Sequence, residues 1–430
     1  MNFADSEIVG SILSKEHYSL TRNIDEADFV LINTCAIRDN AEQRIRKRLH
    51  ELKALQRQHP HLRIGILGCM AERLKDKLML EEENVSFIVG PDAYRSLPAM
   101  LENIRQGEKL ADTLLSDTET YADIDPVRYD TNGITAYISI MRGCQNYCAY
   151  CVVPYTRGRE RSRNPESIVR EANELFLKGY REVTLLGQNV NSYRWQEDGT
   201  SVTFPELMER VAKVNPLLRV RFATSHPKDL SDQLLEVMAR YDNICKCIHL
   251  PLQSGSERML KLMNRRYTPA WYLDRIDAIR RYLPDCSITT DVIAGFCTET
   301  EQDHQATLEM FRTVRYDYAY MFKFSMRPDT YAHRHLNDDV PDDVKTRRLE
   351  EIIALQGEIA LENNKKEVGK TFEVLIEGVS HRSDKQLFGR NSQNKVIVFD
   401  RGELQPGQYV NVLVTRCTAA TLIGEVVNNK

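Results

Sequence analysis

The sequence predicts an α/β protein in three parts: an N-terminal domain built on a parallel sheet, a partial (β/α)6 barrel, and a small C-terminal β-barrel. Three observations carry that expectation. Helix and strand patterns alternate strictly up to about residue 107. From residue 134 the alternation resumes with a longer rhythm and six strand candidates. From residue 366 the pattern changes to short β segments between Gly- and Asn-containing turns.

In the first part (1–107), ADSEIVGSILSKE reads as a helix, DFVLINTC as a short apolar strand, and AEQRIRKRLHELKALQRQ as a long amphipathic helix. RIGILGC and VSFIVG are further buried strands, and RSLPAMLENIRQ is another helix. Such alternation implies a parallel sheet, with functional groups just past the carboxyl ends of its strands. Cys35 closes one strand and Cys69 the next, so the two thiols are expected close together. Residues 108–133 are acidic and weakly periodic and read as a linker.

In the second part (134–365), the strand candidates are ITAYISIM, EVTLLGQ, RVRFAT, CKCIHLPLQ, SITTDVIAGF and DYAYMFKF, separated by helical stretches. Six units fall short of the eight of a closed barrel, so an open barrel is expected, with its site at the carboxyl ends of the strands. A long helix, VKTRRLEEIIALQGEIALENNKKEV, leads out of it. In the third part (366–430), FEVLIEGV, KVIVFD, QYVNVLVTRC and TLIGEVV suit a small β-barrel.

Over 430 residues, 42% hydrophobic and 28% charged composition is that of a globular, multidomain chain. No run reaches the apolar length of a membrane span. MNFADSEIVGS lacks the basic and apolar regions of a signal peptide, so a cytoplasmic location is expected. The ten cysteines are then expected as reduced thiols, which points their clusters to metal or redox chemistry. A net charge of -4 does not advertise a nucleic-acid partner, although local patches carry phosphate binding. One such patch is RGRERSR at 157–163, which reads equally as a solvated turn or helix face; for the basic stretch at 44–58 the solvated helix face is the leading reading.

MRGCQNYCAYC, residues 141–151, places Cys144, Cys148 and Cys151 directly after the first barrel strand. A structural zinc site wants four ligands, and no Cys or His follows until His226. Three thiolates suit a four-iron cluster with one iron left open to a chelating ligand.

C-x3-C-x2-C on a loop after the first strand of a β/α barrel resembles the radical S-adenosylmethionine (SAM) superfamily. The order of parts resembles its methylthiotransferase family over nearly the whole chain, through ADSEIV, INTCAIRDNAEQR, GILGCMAER, GCQNYCAYCVVPYTRGRERSR, LLGQNVNSY, FATSHP, HLPLQSGSERML and SMRPDT. VVPYTRG, LLGQNVN and TSHP look like the branch that acts on tRNA rather than the branch that modifies an aspartate of a ribosomal protein. The C-terminal β-barrel is similar to the family's TRAM module, an RNA-binding domain.

The resemblance implies two 4Fe-4S clusters and SAM as cofactors. Cys144, Cys148 and Cys151 would hold the radical-forming cluster, with Tyr150 near the adenine of SAM. Cys35 and Cys69 match two of three ligands of an auxiliary cluster. The third belongs to a GCQMN-like stretch that would fall two residues before Met1 and is absent from this chain. The implied reaction places a methylthio group on carbon 2 of N6-isopentenyladenosine next to the anticodon of tRNA. One SAM gives the methyl group and another gives a 5′-deoxyadenosyl radical. An electron donor such as flavodoxin or ferredoxin and a sulfur source are the further partners. A non-catalytic iron–sulfur RNA-binding protein is the competing reading from another class.

Polar residues at the barrel mouth are candidates for SAM or substrate: Gln188, Asn189, Ser225, His226, Gln253 and Asp291, with Ser254 and Arg327 beside them. Helix capping and core hydrogen bonding are the competing readings for each. Arg157 is a candidate for RNA phosphate or for an internal ion pair. In the last domain Phe388, Arg390, Asn391 and Lys395 surround a turn and are candidates for stacking and phosphate contact. Cys245, Cys247, Cys286, Cys297 and Cys417 read as small buried hydrophobes.

Overall fold

The computed structural model describes residues 2–36, 39–128 and 132–427. The motif INTCAIRDNAEQR crosses residues 37 and 38, and the linker crosses 129–131; those positions lie outside the described residues. The chain divides into two compact units: one of Met1–Tyr129, Met141–Asn164 and Ser325–His335, the other of Asp130–Ile140, Pro165–Phe324 and Leu336–Lys430. The cysteine loop therefore belongs to the compact unit of the N-terminal sheet, a division that sequence periodicity does not give.

The first unit is built on a four-stranded parallel sheet in sequence order: Phe29–Thr34, Arg63–Gly68, Val85–Val89 and Leu110–Asp112. The fourth strand lies inside the stretch read as linker. Three residues give too little periodicity to announce it. Tyr121 and Ile124, also from that stretch, are buried in the core with Ile8, Ile12, Phe87 and Leu101. On the other face the helix Asp39–Gln58 buries Leu49 and Leu52 against Ile64, Ile66 and Ile88. Each such side chain contributes about 1.5–3 kcal/mol on burial. The opposite face of that helix keeps its basic residues at the surface, where Arg46 meets Glu81 at 2.6 Å and Lys53 meets Glu83 at 3.2 Å. Gly65 is required where it stands: a Cβ there would come within 2.2 Å of the Phe87 ring.

In the second unit all six expected strands form, as two three-stranded parallel sheets. Thr135–Ser139, Glu182–Leu186 and Arg219–Ala223 make one; Cys247–His249, Ser287–Ala294 and Tyr318–Lys323 make the other. A parallel bridge between Val220 and Ile244 joins them. Apolar residues such as Ile138, Val183, Leu185 and Val220 are fully buried. The alternate positions Tyr137, Thr184, Thr289, Asp291 and Tyr320 are less buried and polar. This two-residue alternation is that of an open half-barrel with helices on one face and a polar inner face.

The helix Asp342–Lys365 leads to a closed barrel of five strands, in the order Thr371–Ser380, Ser383–Arg390, Val396–Asp400, Leu422–Val426 and Tyr409–Cys417. Four of the five are legible in the sequence. Ser383–Arg390 (SDKQLFGR) is not, because its first half is polar and exposed and only Leu387 enters the core.

Candidate active site

Register fixes the first pair of cysteines. Thr34 pairs with Gly68 across parallel strands, so Cys35 and Cys69 leave the sheet side by side. The Thr34 hydroxyl donates to the Leu67 carbonyl at 2.6 Å and pins the two strand ends together.

The cysteine loop is held against this same end. Val152, directly after Cys151, packs with Ala36 and Cys69 in one small buried cluster. Within the loop, Cys144 N–H donates to the Gly158 carbonyl (3.1 Å), Cys151 N–H donates to the Cys148 carbonyl (2.9 Å), and Asn146 Nδ2 approaches Cys144 Sγ at 3.5 Å. Burial pushes the Cys144 thiol up to about 11. Ionisation of a thiol so placed is coupled to taking up a metal. No disulfide forms among the ten cysteines.

The basic residues of this region face inward. Arg157, at the end of the helix Val153–Arg157, donates from Nε to Cys69 Sγ at 3.2 Å and from Nη2 to Asp5 at 2.6 Å. Arg142 holds the other oxygen of Asp5 at 2.9 Å and the Pro91 carbonyl at 2.8 Å. Arg161 reaches Asp92 at 2.9 Å. Burial works against the charge of Asp5, but Arg142 and Arg157 hold its carboxyl below the usual carboxylate range. Burial likewise opposes the charge of Arg157, and Asp5 and Cys69 more than offset it. Arg327 is also buried; it donates to the Ala36 carbonyl at 2.7 Å and pairs with Glu42. Of the two sequence readings for Arg157, this geometry is the internal ion pair. Neither Arg157 nor Arg327 presents its charge to a phosphate.

In the second unit the polar residues collect past the carboxyl ends of the strands. Leu186 pairs with Ala223, and Gln188 and Ser225 each follow two residues later. Asn189 donates to Asp229 at 2.7 Å. Gln253 adopts φ +67° and bridges Val292, extending the fourth strand alongside Asp291. His249 stands 3.5 Å from Asp291 on the inner face.

Among the described residues, many of these groups are buried without protein partners: both amide atoms of Gln188, Asn189 Oδ1, both amide atoms of Asn191, Ser225 Oγ and His226 Nε2. Asn191 lies in the quoted LLGQNVNSY and sequence reasoning passed over it. Such groups cost about 1–3 kcal/mol each unless something satisfies them. Burial, with Arg265 and Lys228 nearby, pushes the His226 imidazole down to about 2. It is neutral, and its Nδ1 accepts from Lys228 N–H at 3.3 Å, which assigns the proton to Nε2. This orphaned polar set fits a ligand rich in amino, carboxylate and hydroxyl groups, as SAM is.

The turn of the C-terminal barrel is docked rather than exposed. Arg221 donates to the Asn391 carbonyl at 2.8 Å, and Arg219 donates to the Arg390 carbonyl at 2.6 Å. Arg390 pairs with Glu377, and Lys395 meets Asp317 at 2.9 Å and Glu367 at 3.2 Å. Phe388 stacks on His381 with ring centroids 6.1 Å apart. The expected RNA surface at this turn is thus already engaged within the protein at Arg390, Asn391 and Lys395.

Three family models match the chain: Uncharacterized protein family UPF0004 over residues 1–90, Radical SAM superfamily over 138–311, and TRAM domain over 365–427. Among solved structures, the radical SAM methyltransferase TsrM from Kitasatospora setae shares the fold at TM-score 0.57 and 12% identity, covering 76% of this chain and 73% of that one. The radical enzyme OxsB shares it at TM-score 0.51 and 10% identity, covering 81% of this chain and 53% of that one. Curated relatives named tRNA-2-methylthio-N(6)-dimethylallyladenosine synthase are 55% identical in Bacteroides fragilis and 56% identical in Bacteroides thetaiotaomicron, covering 99% of this chain and 93% and 94% of those proteins. A further one in Porphyromonas gingivalis is 54% identical, covering 99% of this chain and 93% of its own length. On that identity over nearly its full length, and on the three domains in their order, this chain belongs to the tRNA-2-methylthio-N(6)-dimethylallyladenosine synthase family of radical SAM enzymes.

Proposed function

We propose that this chain converts N6-isopentenyladenosine next to the anticodon of tRNA into its 2-methylthio derivative. The single observation that carries the reading is the meeting of Cys69 and the cysteine loop in one buried cluster of the first unit, through Val152 and Arg157. It supports two iron–sulfur clusters at one end of that unit. Cys144, Cys148 and Cys151 would hold one, and Cys35 and Cys69 are the ligands this chain offers the other.

The radical cluster, when bound, supplies the electron that splits the sulfonium of SAM. The balance then fixes the remaining partners. Carbon 2 loses a hydrogen, which leaves on 5′-deoxyadenosine beside methionine. The methyl group comes from a second SAM, which leaves as S-adenosylhomocysteine. The sulfur requires a donor, and the cleaving electron requires a reductant such as flavodoxin or ferredoxin. Gln188, Asn189, Ser225 and His226 bind and orient SAM. His226, neutral, offers an N–H to an acceptor and moves no proton.

The test is anaerobic reconstitution, with iron and sulfide counted per chain, followed by reaction with SAM, reductant and tRNA and nucleoside analysis by mass spectrometry. About eight irons are expected with both clusters, and about four with the radical cluster alone. Methylthiolated isopentenyladenosine is the expected product. SAM cleavage without that product, or cleavage that survives Cys148→Ala, overturns the reading. No helix among the described residues is long and apolar enough to cross a membrane.

A further inference from the structure

The cysteine loop carries an exposed outward face. Tyr147, between Cys144 and Cys148, is 44% exposed, and Tyr155 is 40% exposed. Their rings meet edge to face at 6.3 Å. The short helix Tyr331–His335 is fastened beside them, Ala332 N–H donating to the Ala149 carbonyl at 2.8 Å. From it Arg334 sets its guanidinium 5.7 Å from the Tyr155 ring centroid. Tyr331, 49% exposed, lies against His335 one turn along, with ring centroids 4.4 Å apart and planes tilted by 35°. All of these residues belong to one compact unit.

We propose that Tyr147, Tyr155, Tyr331 and Arg334 form a stacking strip for the single-stranded RNA nucleotides that flank the target base. The proposal rests on the tRNA reading above and names the surface that reading lacks, since the turn at Arg390 and Lys395 is engaged within the protein. Two features argue for a nucleic-acid surface. Exposed aromatic faces alternating with a guanidinium and an imidazole provide base stacking and phosphate attraction together. Tyr147 also takes a left-handed backbone, φ +49°, a conformation unfavourable for a bulky residue and of the kind that persists where a site needs it. Because the strip begins between two of the three cysteines, a base brought to that loop carries its neighbours across these rings.

The experiment measures binding of a fluorescent anticodon stem-loop RNA containing isopentenyladenosine to the full, reconstituted chain. Tyr155→Leu and Tyr331→Leu are expected to raise Kd by roughly ten-fold each, and Tyr155→Phe and Tyr331→Phe to stay near the parent value, because stacking needs the ring and not the hydroxyl. Arg334→Gln is expected to lower the salt dependence of binding by about 0.7 in log–log slope. Iron content per chain, expected unchanged, excludes loss of the loop as the cause. Leu variants that bind as the parent does, or a loss that Phe does not rescue, overturn the strip. Unchanged RNA affinity with slowed cluster reduction by flavodoxin would make the surface a protein dock and also overturn it. A parent protein that does not bind the RNA would instead remove the tRNA reading itself.

Discussion

Arg157 Nε lies 3.2 Å from Cys69 Sγ, so the helix that follows the cysteine loop ends on the cysteine that closes the second strand. The same guanidinium reaches Asp5 on the first helix. Asp5 in turn holds Arg142, directly ahead of Gly143 and Cys144. One fully buried carboxylate thus ties both flanks of the loop to the sheet domain. Buried pairs of this kind are costly to break singly, because the remaining charge has no water. Arg157→Met is expected to destabilise the first unit by about 3 kcal/mol. A double-mutant cycle with Asp5→Asn, read by thermal unfolding, is expected to recover part of that loss. Additive single effects would mean that the contact is incidental.

The loop also depends on a glycine. Gly143 sits at φ +77°, and a Cβ there would come within 1.9 Å of the Arg159 carbonyl oxygen. The neighbour is backbone, which does not yield as a flexible side chain does. Gly143→Ala is expected to displace Cys144 and to lower iron by about four per chain after reconstitution. Full iron with an unchanged spectrum would show that the loop accommodates the methyl group.

Most of this arrangement is legible in the sequence where one periodicity governs. All six half-barrel strands show, since each pairs a buried apolar set with a polar inner set. The strand at 383–390 does not, because only Leu387 enters the core. The placing of Arg157 and Arg327 is not legible either. A basic run such as RGRERSR carries no mark that its first arginine is buried against Asp5 and Cys69. Only partners far along the chain reveal it, and periodicity reports neighbours near in sequence. Asn191 is not legible for a related reason: its distinction is that both amide atoms are buried without a partner among the described residues, which is a property of the fold.

Glu72, three residues after Cys69, gives a pH-dependent test of the sheet domain. It is buried, and burial pushes its carboxyl up to about 7 despite Lys75 at 3.5 Å. Its Oε2 has no hydrogen-bond partner among the described residues. The folded state therefore holds a proton that the unfolded chain releases near pH 4.5. Stability is fully present below that pH, falls as pH rises through about 7, and is level above. Glu72→Gln copies the protonated form. It is expected to raise the melting temperature by a few degrees, roughly 1–2 kcal/mol, at pH 8 and to change little at pH 5. An equal effect at both pH values would mean that the carboxyl does not titrate in this window.

The orphaned polar set of the second unit makes opposite predictions for stability and for binding. Among the described residues, both amide atoms of Gln188 and the Ser225 hydroxyl are buried without partners. A group so buried costs about 1–3 kcal/mol where nothing satisfies it, and a polar ligand that does so recovers that amount. Gln188→Leu and Ser225→Ala are therefore expected to raise the melting temperature of the SAM-free protein. The same changes should weaken SAM binding by roughly 5- to 10-fold, measured by equilibrium dialysis. A variant that loses both stability and affinity would mark its side chain as packing. One that gains stability and keeps its affinity would place SAM elsewhere. Stability gained together with affinity lost is the signature of side chains whose hydrogen bonds are reserved for a ligand, since packing alone gives no reason for the two to move in opposite directions.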